Sequence, residues 1–257
     1  MVKSADRVIK ILELIASRNY GMTHGQIAGE LGIPKGSLSK LLSNLVAREY
    51  LSIDDRRKLY RLGPQVLVLT GKYLSSLDVV QLGRPILNEL AKTTNESTEI
   101  HVLKNNEVMV VAKVDCSRPL IHSISIGSTY PAYATSGGKA ILAHLPEEEI
   151  DGYFCSVKLV SITKNTITDP ELLRGELKKI RAGALAYGRE EVYEGISAMA
   201  SPVFGVCGQV LGSIVISIPT PRLSPEKEHS LEQALRGASA KLSYHLGFKA
   251  DSNEHEN

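Results

Sequence analysis

The chain has 257 residues, 43% hydrophobic and 23% charged, proportions that suit a small module beside a larger one and exclude disordered, collagenous and membrane-embedded classes. Its net charge of +2 is a sum of unlike parts: residues 1–62 carry +5, residues 63–249 carry 0 and residues 250–257 carry −3. Basic charge gathered in the first quarter points to an acidic polymer as the partner of that segment. Cys116, Cys155 and Cys207 are odd in number and widely spaced, which argues against a disulfide framework and a structural zinc site and fits a reducing cytoplasm. No secretion signal is visible at the N-terminus, and the most apolar stretch, 202–219, is interrupted by Gly205, Gly208, Gln209 and Gly212, so it reads as two strands and a turn rather than a membrane span.

Ser4 or Asp6 can cap a first helix in which Val8, Ile11, Leu12 and Ile15 keep helical spacing, ending near residues 19–21. Thr23 and Gln26 form a capping box for a second, shorter helix with Ile27 and Leu31 inside, stopped by Gly32. Pro34 opens a third at its first helical position, with Leu38, Leu41, Leu42, Leu45 and Val46 on one stripe. Gly36, Ser37, Lys40, Ser43 and Asn44 point the other way, a small polar face with one long cation. Helix, short helix, turn and polar-faced helix make a helix-turn-helix, and residues 50–62 add a hairpin, or wing, with a basic tip. Lys35, Lys40, Arg56, Arg57 and Lys58 would neutralise phosphates, while Ser37, Ser39, Lys40 and Asn44 are candidates for base edges, with Thr23 carried as a further contact. A plain packing subdomain with a solvated Arg-Arg-Lys turn is the competing reading, and the agreement of helix order, capping box, turn and wing weighs against it.

Residues 65–77 again show helical spacing through Val66, Leu69, Tyr73 and Leu77, widened by Val68, Thr70 and Leu74; a stiff linker helix and an ordinary core helix of the next domain both fit. The expected partition is therefore a DNA-binding domain over 1–63, a linker helix over 64–78, a second domain over 79–249 and a disordered acidic tail over 250–257. In the second domain, 79–94 is amphipathic through Leu82, Ile86, Leu87 and Leu90; strands follow at 98–103 and 108–114 across a hairpin turn, and a third at 120–126. Helices are expected at 136–145, after Pro146, and from Asp169-Pro170 to Gly183. Two more strands, 196–206 and 209–218, precede a final helix over 225–246. Helices between groups of hairpin strands give an α+β class with a mainly antiparallel sheet.

Catalytic chemistry is sought without success. Residues 136–140 resemble a phosphate loop only superficially, because Tyr133 stands where its first glycine belongs and Ala140 where a magnesium-holding hydroxyl belongs. Gly205, Gly208 and Gly212 lack dinucleotide-loop spacing and lie between strands. Glu190 and Glu191 are adjacent and need not converge, and the seven histidines form no metal-ligand pair. No catalytic residue, cofactor or metal is expected. A binding pocket is the better reading: Thr135, Ser136, Gly137 and Gly138 open a helix with small residues, leaving backbone N–H groups for an anion, although close helix-on-sheet packing would also account for the glycines.

Through residue 249 the chain resembles the IclR family of bacterial transcription regulators. The resemblance rests on residues 7–12, 27–28, 31–42 and 60–63 in the first part, and on Arg84-Pro85, Pro131, 134–143, 188–191, Gly195, 200–204 and Gly208 in the second. It implies a winged helix-turn-helix and a GAF-like effector domain, with homodimers or homotetramers on a palindromic operator. Regulation, more often repression, would then be controlled by a small carboxylate metabolite, with RNA polymerase as a further partner and no membrane. Carried over by position, the effector pocket comprises Ser136, Gly137, Gly188, Ile196, Ala198, Val215 and Ser217, to which the reading of the helix opening adds Thr135. Three positions depart from the family pattern: Gly188 replaces a usual Asp, Ala198 a common Cys, and Lys40 a usual Arg, which removes two polar groups from the pocket and a bidentate fork from the recognition helix. A constitutive DNA binder whose second domain only oligomerises, and an enzyme fused to a DNA-binding head, are the alternatives.

Overall fold

The computed structural model describes residues 2–18, 20–54, 57–75, 78–116 and 124–249. The chain divides into two compact units, residues 1–76 and 77–257.

In the first unit, α1 (Lys3–Ala16) buries Ile11 and Ile15. It begins one residue after Val2, with no side-chain cap, so the expected capping role of Ser4 or Asp6 does not hold. Asp6 lies within the first turn, where a carboxylate complements the helix dipole, and pairs with Lys10 at 3.0 Å. β1 (Met22–Thr23) leads into α2 (His24–Leu31) through the expected capping box: the Gln26 N–H donates to Thr23 Oγ1 at 3.3 Å and the Thr23 N–H to Gln26 Oε1 at 2.8 Å. Gly32, at φ +60°, ends the helix in the left-handed region. α3 (Lys35–Ala47) buries Leu38, Leu42 and Leu45, and Pro34 serves as its N-cap, one position earlier than expected. β2 (Leu51–Asp54) and β3 (Leu59–Leu62) form the wing with Leu51 opposite Leu62; β1 joins them unexpectedly, Met22 opposite Tyr60, because two residues are too few to show an alternating pattern. Arg56 lies outside the described residues.

α4 (Pro64–Ser75) starts inside this unit rather than beyond it. The Gly63 N–H donates to the Tyr50 carbonyl at 2.8 Å and the Gln65 N–H to the Glu49 carbonyl at 3.0 Å. A Cβ at position 63 would stand 2.2 Å from that Glu49 oxygen, so only glycine allows the crossing. Beyond the first turn Leu67, Val68 and Leu69 are exposed.

The second unit is built on a six-stranded antiparallel sheet of β4 (Ser97–Lys104), β5 (Glu107–Val114), β6 (Thr129–Pro131), β7 (Ala186–Arg189), β8 (Ile196–Phe204) and β9 (Val210–Pro219), in the order β6-β5-β4-β9-β8-β7. α5 (Asp78–Thr94) buries Val79, Val80, Ile86, Leu87 and Leu90, while Leu82 is exposed, a phase slightly rotated from the expected stripe. The 98–103 and 108–114 strands are present, joined at Asn105-Asn106 with Asn105 at φ +57°. Most of the strand expected at 120–126 lies outside the described residues, and 124–126 are not strand; Thr129–Pro131 takes the sheet edge instead. The helix expected over 136–145 is shorter: α6 (Ser136–Leu142) tightens at its end, His144 and Leu145 donating to carbonyls three residues back before Pro146 caps α7 (Glu147–Ser156). α8 (Pro170–Arg181) is capped by Asp169 as expected, and α9 (Pro225–His245) closes the fold. The acidic tail, 250–257, lies outside the described residues.

Strand alternation sends neighbouring residues of β4 to different surroundings. A Cβ at Gly83 of α5 would meet Ile100 at 2.3 Å and Leu242 of α9 at 3.3 Å, so Ile100 sits between those helices. Glu99 and His101, one position to either side, line a cavity on the α6 face. The result is an α+β chain: a winged helix-turn-helix, then an antiparallel sheet with helices on both faces.

Gly63→Ala is expected to destabilise the first unit by about 1–3 kcal/mol through the clash with Glu49. Gly36→Ala, on the open face of α3 with nothing within 4 Å of the added carbon, should instead stabilise by up to about 1 kcal/mol. Chemical denaturation midpoints distinguish the two, and equal midpoints would contradict the close approach at 63.

Candidate nucleic-acid interface and effector pocket

The outer face of α3 carries Lys35, Gly36, Ser37, Lys40, Ser43 and Asn44, all exposed, so the expected polar surface exists and its core stripe points away from it. Ser39 differs. Its hydroxyl donates to the Lys35 carbonyl at 3.0 Å, and His24 Nε2 lies 3.0 Å from its oxygen. With the hydroxyl proton committed to the carbonyl, the oxygen accepts from the ring, so Ser39 ties α3 to the start of α2. Thr23, expected as a contact, has its hydroxyl engaged within the capping box. At the wing, Arg57 and Lys58 are exposed, and the Arg57 N–H donates to Asp54 Oδ1 at 3.2 Å, shaping the turn. Lys35 and Lys40 on the helix and Arg57 and Lys58 on the wing are exposed together with the small hydroxyl and amide groups of α3, side chains of the types that suit phosphates and base edges. His24 was missed because a lone histidine one residue past a cap carries no pattern of its own.

In the second unit, Thr135, Ser136, Gly188, Ile196, Ala198, Val215 and Ser217 line one cavity of about 470 Å³, its open mouth included. Register explains the convergence: Gly188 pairs with Ala198 and Ala198 with Ser217, a row across β7, β8 and β9. Gly137 is not part of the lining. A Cβ there would stand 2.4 Å from His101 Nδ1, and its carbonyl accepts from Ser213 Oγ at 3.1 Å, so position 137 serves close helix-on-sheet packing. Glu99, His101, Tyr130, Glu191 and Tyr193 complete the polar wall.

These groups are paired with care. His101 Nε2 lies 2.8 Å from Glu99 Oε2, and Ser217 Oγ donates to Glu99 Oε1 at 3.1 Å. Lys139 has no exposed surface, and its ammonium lies 2.7 Å from both Glu176 of α8 and Glu191. Burial pushes the Glu191 carboxyl above its ordinary value, against the pull of Lys139. Burial likewise raises the Tyr130 hydroxyl, whose oxygen is 3.4 Å from that of Tyr193. Two buried atoms of the residues that line this cavity, His101 Nδ1 and Glu191 Oε2, make no hydrogen bond among the described residues.

Sequence reading passed over Glu99 and His101, although two positions apart on an expected strand they must share a face. Glu190 and Glu191 do diverge as their adjacency suggests. Glu190, at φ +60°, has its carboxyl lowered by a backbone hydrogen bond at Gly195 and by Thr220, while Glu191 turns in to Lys139. Among the described residues no His, Cys, Asp and Glu cluster could hold a metal, and no helix is long and apolar enough to cross a membrane.

Comparison with known proteins agrees over both units. The IclR helix-turn-helix domain model matches residues 4–55, and the bacterial transcriptional regulator IclR C-terminal model matches residues 71–244. The chain is 30% identical over 232 residues to the HTH-type transcriptional regulator Rv1719 of Mycobacterium tuberculosis, covering 90% of this chain and 86% of that one. It is 26% identical over 247 residues to the HTH-type transcriptional repressor AllR of Klebsiella pneumoniae, covering 96% and 91%. A crystal structure of an IclR transcriptional regulator from Alicyclobacillus acidocaldarius is similar with a TM-score of 0.84 at 25% identity, covering 96% of this chain and all of that one.

Lys139→Met is expected to destabilise the second unit by about 3–5 kcal/mol, because it leaves the buried Glu191 carboxylate without its cation. Denaturant titration followed by far-UV circular dichroism measures this. A loss below about 1 kcal/mol would mean that the cluster is less desolvated than its burial indicates.

Proposed function

As the chain belongs to the IclR family of bacterial transcription regulators, we propose that it is a ligand-responsive repressor of a catabolic operon, released or engaged by a small carboxylate metabolite bound in the β7–β9 cavity. The observation that carries this reading is the convergence of seven separated positions, from Thr135 to Ser217, on one partly polar cavity within the second unit. The similarity to a named repressor supports the sign of regulation. For an acid, the groups able to donate are the hydroxyls of Ser136, Tyr130 and Tyr193; Glu99 and Glu191 require its anionic end to sit away from them.

The operator reading follows from the head. Homodimers or homotetramers would place two α3 helices in successive major grooves of a palindromic site, about 34–36 Å apart. Effector binding then shifts the population of arrangements that match this spacing, and the shift is bounded by the ligand's differential affinity for the two. Contact with RNA polymerase is the remaining expected partnership. Work on the chromosome places the protein in the cytoplasm.

Operator binding titrated against a panel of small acids tests the proposal. An affinity indifferent to every acid that binds the second unit would sink ligand control and favour a constitutive DNA binder. In the same assay Lys40→Ala should alter sequence preference, whereas Arg57→Ala should weaken binding to all sequences alike and lower the log–log salt slope by about 0.9. Equal losses from both variants on specific and random DNA would contradict this division of roles.

A further inference from the structure

One carboxylate of the cavity wall carries a buried acceptor that the fold leaves unmet. Glu191 lines the cavity, and its Oε1 accepts from the Lys139 ammonium at 2.7 Å. Its Oε2 is buried and makes no hydrogen bond among the described residues. A carboxylate taken out of water needs donors for both oxygens, and a folded chain rarely leaves one bare without reason. Nearby groups do not supply it. Lys139 is held between Glu191 and Glu176, and the Ser217 hydroxyl donates to Glu99.

Resting on the reading of this cavity as the effector pocket, we propose that the ligand is a hydroxylated metabolite whose hydroxyl proton is donated to Glu191 Oε2. A neutral donor suffices where an ammonium would add a second cation close to that of Lys139, which already offsets part of the charge that Glu191 shares with Glu176. An acid with no hydroxyl offers Oε2 no donor. Gly188 contributes the room: a Cβ there would come within 3.3 Å of the Ser136 nitrogen, so its absence keeps the space between β7 and the start of α6 open beside Glu191. A charge-assisted hydrogen bond in a desolvated site is strong enough to set specificity, and a site built around it rejects analogues that cannot donate.

The test uses the full chain and calorimetric titration with small acids in matched triples that carry hydrogen, hydroxyl or fluorine at one carbon. Propionate, 3-hydroxypropionate and 3-fluoropropionate form one triple, and benzoate with its 4-hydroxy and 4-fluoro derivatives forms another, the hydroxyl in each standing away from the carboxylate. Fluorine imitates the size of a hydroxyl and cannot donate. The hydroxyl member of at least one triple should bind ten-fold or more tightly than both companions. In Glu191→Gln the amide oxygen keeps Lys139 and the NH₂ group replaces Oε2, so the preference of hydroxyl over fluorine should fall below three-fold; should this variant not fold, the wild-type triples alone decide. Acids that bind equally with hydrogen, hydroxyl or fluorine overturn the proposal and leave the effector pocket standing. No heat and no melting shift with any acid overturns the carboxylate reading, and this proposal falls with it.

Discussion

A lysine ammonium with no exposed surface holds the second unit's functional end together. Lys139 comes from α6, Glu176 from α8 and Glu191 from the segment after β7, so one cation joins three elements that are far apart in sequence. Such a cluster contributes little net stability compared with apolar packing of the same volume, since the desolvation of three ions offsets most of their attraction. What it does contribute is position. The segment leaving β7 can occupy only the place where Glu191 reaches Lys139, and that fixes Gly188, Val192 and Tyr193 around the cavity. Lining the same cavity, the Glu99–His101–Ser217 network does the same for β4 and β9. Two buried polar networks at one space make that space selective, because a ligand is judged by the groups they leave unpaired as well as by those they already satisfy.

The head solves a different problem. To approach a groove, α3 needs a low, polar surface, and it has one because its bulky residues all fall on the core side. That surface is steadied from beneath. His24 and the Lys35 carbonyl hold Ser39 between them, so that hydroxyl is part of the scaffold, and Ser37, Lys40 and Asn44 remain for contact.

Where periodicity is long, it was legible. The helices of the head, α5, α8 and α9 could be read from apolar spacing and caps, and the β4–β5 hairpin from its Asn-Asn turn. Short elements were not. β1 has two residues and β6 three, and neither length can display alternation. β7 was hidden because Gly188 gives it no strand character, although its place in the sheet makes the cavity. Among the pocket positions inferred from resemblance, Gly137 shows the limit of that route: a glycine needed for packing against His101 and a glycine needed for a ligand look alike in sequence. Glu99 and Glu191 escaped for the opposite reason, since what singles them out is burial and partners, which come from other strands and helices.

The crossing at Gly63 bears on how a signal could reach the recognition helix. The first turn of α4 is hydrogen-bonded to the residues that follow α3, and no side chain separates them. There is accordingly no swivel at the head's exit. Twisting the first turn of α4 is therefore resisted by direct backbone contact with the residues that follow α3, as in a key whose shaft and bit are cut from one piece.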